Sequence, residues 1–120
     1  MIVGIGVDSI EIRRVVRACE KEHFLKRVFT PKEVEQFDRK KRRAASNFAG
    51  KEAVVKVFGT GFAGISANEI EILRDEAGAP YVVLHGQARE EAEKRQIDRL
   101  FISITNTKET ATAFVVAEQA

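Results

Sequence analysis

The chain has 120 residues, 44% hydrophobic and 32% charged, with one cysteine and a net charge of +2. That length holds one core and not two ordinary domains, so residues 1–120 are read as a single domain, and the composition excludes a disordered chain. Residues 1–60 carry +6 and residues 61–120 carry −4, which points the first half at an acidic partner: nucleic acid, an anionic small molecule or an acidic protein. No run approaches the roughly 20 apolar residues of a membrane span, and Met1–Asp8 lacks the basic region of a signal peptide, so a cytoplasmic protein is expected. Cys19, alone, can form neither an intrachain disulfide nor a multi-cysteine zinc site.

Ile2-Val3-Gly4-Ile5-Gly6-Val7-Asp8 reads as a buried strand ending at a carboxylate. Ile12, Val15, Val16 and Cys19 then recur at helical spacing, with Arg13, Arg14 and Arg17 largely off that stripe. Thr30-Pro31-Lys32-Glu33 combines an N-cap hydroxyl, Pro at the first helical position and Glu three residues after the cap, so a second helix begins at Pro31. An Ala-rich helix is predicted from about Arg43 to Phe58, closed by Gly59. Glu69–Arg74 and Tyr81–His85 read as a hairpin across the Asp75–Pro80 turn, Gln87–Gln96 as a charged helix, and Leu100–Thr105 and Ala111–Ala117 as a closing strand pair. The order is β-α-α-α-β-β-α-β-β, an α+β domain.

Phe48, Glu52 and Lys56 fall at i, i+4 and i+8 and share one helix face. That spacing fits a surface Glu-to-Lys pair as well as a functional one. Asp8 fits either an N-cap for the following helix or a metal ligand, because strands disfavour Asp and a buried carboxylate needs a partner. Two carboxylates converging on one site would suit Mg²⁺, which takes oxygen ligands and bridges carboxylates to substrate phosphates.

Gly4-Ile5-Gly6-Val7-Asp8-Ser9-Ile10-Glu11-Ile12-Arg13-Arg14 resembles the first signature of holo-acyl-carrier-protein synthases, and Phe48-Ala49-Gly50-Lys51-Glu52-Ala53-Val54-Val55-Lys56 with Gly59-Thr60-Gly61 resembles the second. Phe29-Thr30-Pro31-Lys32-Glu33, the Gly78-Ala79-Pro80 turn and Ser103-Ile104-Thr105 extend the likeness along the whole chain. The resemblance implies a phosphopantetheinyl transferase fold and a homotrimer with active sites between subunits. It also implies transfer of 4′-phosphopantetheine from coenzyme A to a serine of apo acyl carrier protein, for fatty acid biosynthesis, with release of adenosine 3′,5′-bisphosphate. On that resemblance Asp8 and Glu52 hold Mg²⁺, or Mn²⁺, and join Lys56 in catalysis. Lys51, Lys56, Gly59, Gly61 and Asn106 fall at coenzyme A, and Arg13, Arg14, Arg17 and Lys21 at the acidic carrier protein. Either Glu52 or metal-held water would take the serine proton. Asn47 and Asn106 stand where the family usually has Arg and often His, which removes cationic phosphate contacts; Arg42, Arg43 or Lys51 are the candidates to compensate.

Three other readings are weaker. Arg39-Lys40-Lys41-Arg42-Arg43 is a basic run without the interleaved aromatics of a nucleic-acid module, so no nucleic-acid partner is expected. Gly4-Ile5-Gly6 lacks the third glycine and the βαβ context of a dinucleotide-binding turn, and His23 and His85 match no zinc-protease or hydrolase spacing. A non-catalytic relative that keeps the fold is the remaining alternative.

Overall fold

β1 (Ile2–Glu11) is three residues longer than the sequence predicts in this computed structural model, which describes residues 1–120. The strand does not stop at Asp8, because its antiparallel pairing with β5 (Thr110–Glu118) continues through Asp8↔Ala113, Ile10↔Ala111 and Glu11↔Thr110. β5 pairs on its other side with β4 (Arg99–Asn106), giving the order β1-β5-β4. β2 (Ile70–Arg74) and β3 (Pro80–Leu84) form the separate hairpin expected across the Asp75 turn.

Four helices, not three, precede that hairpin: α1 (Ile12–Ala18), α2 (Glu22–Val28), α3 (Pro31–Phe37) and α4 (Arg42–Phe58). The additional one, α2, has seven residues, too few turns for a hydrophobic period to stand out among charged neighbours. Phe24, Leu25 and Val28 are nevertheless its inward residues. α5 (Gly86–Lys94) follows β3. Helix α3 begins as predicted: Thr30 Oγ1 accepts from the Glu33 backbone N–H, and the Thr30 backbone N–H donates to Glu33 Oε1. Helix α4 ends as predicted, at Gly59 with φ +73°.

Alternation along β1 turns Gly4, Gly6, Asp8 and Ile10 toward α4. The helix can lie close because the contact is made of small residues: Ala49 and Ala53 on α4, Ala111 and Ala113 on β5. A Cβ on Gly6 would collide with the carbonyl oxygen of Ala53, and one on Gly4 would press on Val57 Cγ1 at 3.0 Å. Glycine is therefore required for the approach that brings α4 beside Asp8. On the opposite sheet face Ile5, Val7, Phe101 and Phe114 remain 44–62% exposed, and the register Val7↔Phe114 and Phe101↔Val116 makes them one apolar surface.

Candidate active site

Strand β1 and helix α4 each supply one half of the site. Lys56 Nζ donates to Asp8 Oδ1 at 2.9 Å and to the Val7 carbonyl at 3.0 Å. The ammonium sits in the last turn of α4, where the carbonyl ends of the helix favour a cation. Asp8 is mostly covered and Lys56 is about half exposed, so the pair opens to solvent from the lysine side. Glu52, one turn before Lys56, is half-buried. Burial pushes the Glu52 carboxyl above the ordinary glutamate range, the charge of Asp8 pushes the same way, and Lys56 only partly opposes them.

The two carboxylates thus feel each other and share one ammonium. The N-cap reading of Asp8 fails: it lies within the strand, and the residue ahead of α1 is Glu11, with no side-chain cap bond. The surface-pair reading of Glu52 and Lys56 also fails, since Lys56 bonds across to Asp8 rather than back to Glu52.

Lys51 does not lie with them. Expected at coenzyme A, it is completely buried on the adjacent side of α4. There Lys51 Nζ donates to Glu33 Oε1 at 2.7 Å and to the carbonyls of Ala67 and Ile70. One residue of helix is a turn of about 100°, enough to carry Lys51 into the core while Glu52 meets Asp8. Asn47, a turn earlier, is buried too and donates to Glu33 Oε2 and to the Ile72 carbonyl. Asn47 is consequently not a vacancy in a surface phosphate site, and Lys51 cannot compensate for one.

Arg42 and Arg43 spend their guanidinium groups on backbone carbonyls, Arg42 on Thr107 and Lys108 and Arg43 on Gln36. Asn106 donates to Ser46 Oγ at 2.8 Å at the start of α4. Gly59 and Gly61 lie beyond the far end of that helix, about 20 Å away along its axis. Apart from the buried Lys51, the residues expected at coenzyme A therefore form two groups within one chain, Lys56 with Gly59 and Gly61, and Asn106 by itself.

Arg13, Arg14 and Arg17 on α1 and Lys21 beyond it are all exposed. Arg13 and Arg17 border a shallow depression with Arg42 and Lys108, whereas Arg14 borders another with Ile10, Phe24 and Phe48. Sequence reasoning missed Glu33 as more than a cap and missed the Val7 carbonyl. The Thr30–Glu33 motif gives Glu33 a local task that hides its distant ones, and no side-chain pattern marks a backbone acceptor.

A family model for the 4′-phosphopantetheinyl transferase superfamily matches residues 4–115. The chain belongs to the 4′-phosphopantetheinyl transferase superfamily. Within this superfamily it is 54% identical over 118 residues to the holo-[acyl-carrier-protein] synthase of Lachnoclostridium phytofermentans, covering 98% of this chain and 97% of the relative. Its fold matches the holo-[acyl-carrier-protein] synthase of Neisseria meningitidis with a TM-score of 0.86 at 34% identity, over 99% of this chain and 100% of that one. The Bacillus anthracis synthase, solved in complex with CoA (3′,5′-ADP), matches with a TM-score of 0.82 at 32% identity, over 100% of this chain and 99% of that one. The transferase fold and the single α+β architecture expected from the sequence are the ones observed.

Proposed function

We infer that this chain transfers 4′-phosphopantetheine from coenzyme A to a serine of apo acyl carrier protein, releasing adenosine 3′,5′-bisphosphate, with Asp8, Glu52 and Lys56 as the reacting site. The observation that carries the reading is the meeting of strand and helix at Lys56 Nζ and Asp8 Oδ1, with Glu52 alongside, in a chain of this superfamily.

The donor set fits Mg²⁺. Asp8 and Glu52 are hard oxygen donors, burial and then the charge of Asp8 raise Glu52 toward protonation, and a divalent cation held by the two carboxylates would favour their charged forms. No third acidic residue, histidine or cysteine completes a cage, as suits an ion that fills its shell with water and substrate phosphate. When bound, Mg²⁺ or Mn²⁺ would supply positive charge against the coenzyme A pyrophosphate. Lys56, half exposed and held at Nζ by the Val7 carbonyl and Asp8, stabilises negative charge building on the transferring phosphoryl group and the departing oxygen, where electrostatics and positioning do most of the catalysis. Either Glu52 or water held by the metal would accept the serine proton.

Arg13, Arg14, Arg17 and Lys21 suit an acidic carrier protein, and the apolar depression beside Arg14 offers a neutral seat next to them. Gly59, Gly61 and Asn106 are assigned to coenzyme A in an assembly. The separation of Asn106 from the two glycines favours a site completed by a second copy, and the uncovered face of Ile5, Val7, Phe101 and Phe114 favours copies packing by their sheets. The number of copies, three, and a cytoplasmic location are assigned from the likeness to the synthase family; no helix is long and apolar enough to cross a membrane.

The deciding experiment incubates the purified protein with apo acyl carrier protein, coenzyme A and Mg²⁺, and reads the phosphopantetheinyl mass shift. Chelation should abolish that shift and Mn²⁺ restore it. A shift unaffected by chelator would overturn the metal assignment, and light scattering that finds a monomer would overturn the trimer.

A further inference from the structure

Helix α4 is gripped from two sides. On the β1 side the grip is steric, through Gly6 beneath Ala53. On the other side it is polar and completely enclosed. Glu33 Oε1 accepts from Lys51 Nζ at 2.7 Å and the Thr30 N–H at 3.0 Å; Glu33 Oε2 accepts from Asn47 Nδ2 at 2.9 Å and the Ile72 N–H at 3.3 Å. That is four bonds to one carboxylate. Lys51 Nζ has three protons and three acceptors, one on Glu33 and two on the backbone around the start of β2. Glu33 and Lys51 both have no exposed surface.

A buried ion pair of this kind is a weak device for stability, because desolvation offsets most of the attraction, and its best attested use is to fix a register. Its geometry here suits that use. Asn47 and Lys51 are one turn apart on α4, and their four anchors, Glu33, Ala67, Ile70 and Ile72, lie on α3, on the turn Ala67–Glu69 and on β2. Any roll of the helix about its axis, or slip of one residue along it, breaks several bonds at once among groups closed to water, where Asn47 Oδ1 is the one side-chain acceptor of the cluster without a partner. Glu52 and Lys56 ride on the same rigid helix, offset by one residue.

We propose that Glu33, Asn47 and Lys51 are positioning residues for the transfer, fixing the roll and height of α4 and thereby the point at which Glu52 and Lys56 meet Asp8. This proposal rests on the reading of Asp8, Glu52 and Lys56 as the reacting site. The steric contact at Gly6 and Ala53 sets how closely α4 approaches β1; the polar lock adds a fixed register about and along the helix axis.

The test is the double variant Glu33→Met/Lys51→Met, which replaces the pair with side chains of similar volume. Expected are a folded protein with a lowered urea midpoint, because the Thr30 and Ile72 N–H groups and the Ala67 and Ile70 carbonyls lose their partners, a kcat reduced about 100-fold through displacement of the reacting groups, and KM values for coenzyme A and carrier protein within about threefold of wild type. Its crystal structure should show Lys56 Nζ moved off Asp8 Oδ1. Asn47→Ala, which leaves the ion pair in place, should fold and lower kcat in the same direction by a smaller factor. Wild-type kcat in either folded variant overturns the proposal, as does an unchanged kcat with a raised KM for coenzyme A, which would make Lys51 a substrate contact. If wild-type protein makes no transfer at all, the functional reading fails, while the position of Lys56 in the double-variant structure still decides whether the lock sets the helix.

Discussion

Two sides of one helix carry nearly the same side chains and behave in opposite ways. On one side Lys51 faces Glu33 with every donor and every carboxylate oxygen occupied and no solvent in reach. On the other Lys56 faces Asp8, with a second carboxylate, Glu52, left half-buried and pushed toward its protonated form. Residue type does not separate structural from chemical charge here; completeness of partnering does. A fully bonded pair has no capacity to bind anything further, whereas a pair with a surplus carboxylate and an open edge keeps hydrogen-bonding and charge capacity unused.

If the open side performs the chemistry, Asp8→Ala and Glu52→Ala should give the largest effect. Each is expected to lower the rate of carrier-protein loading by about 1,000-fold, by loss of charge placement at the reacting group, with thermal unfolding little changed. The closed side should respond in stability. Lys51→Met, which strands Glu33 in the core, should cost about 3–5 kcal/mol in urea unfolding, and Lys56→Met should cost little there while reducing turnover. Between the two sides lies the backbone contact, and Gly6→Ala should destabilise by about 1–3 kcal/mol and depress activity, since Ala53 must retreat and carry Glu52 with it.

The smallest effect concerns pH. With its folded-state value raised, Glu52 favours the folded protein while protonated at acid pH, and that contribution is lost as pH rises through the raised value. Glu52→Gln should therefore match wild type in melting temperature near pH 4, below the ordinary glutamate value. It should gain on wild type as pH increases, by under about 1 kcal/mol because the side chain is partly solvated.

Local signals were readable where a residue's task is local. Thr30, Pro31 and Glu33 announce the start of α3, Gly59 the end of α4, and the alternation in Ile70–Arg74 a strand, each through backbone geometry that neighbours in sequence control. The Glu52–Lys56 face followed from helical spacing, and the meeting with Asp8 was expected only from the likeness to a family. Spacing could not have told Lys51 from Lys56, since both are lysines on the same helix and only the tertiary packing of α3 and β2 makes one a core residue. The same holds for Asn47, whose reading as a missing phosphate contact is reversed by the Glu33 carboxylate lying 14 positions earlier in the chain. Helix α2 was missed for want of length.

Strand β1 runs without interruption from Asp8 through Glu11 into α1, the bearer of Arg13, Arg14 and Arg17. The Asp8 carboxylate and the basic surface are thus counted off along one continuous stretch of strand and helix. Strand faces alternate every residue and a helix turns by about 100° per residue. Inserting or deleting one residue between Asp8 and Arg13 would flip the carboxylate or swing the arginines away, even with every side chain retained. Chain length in this segment is therefore as constrained as its chemistry.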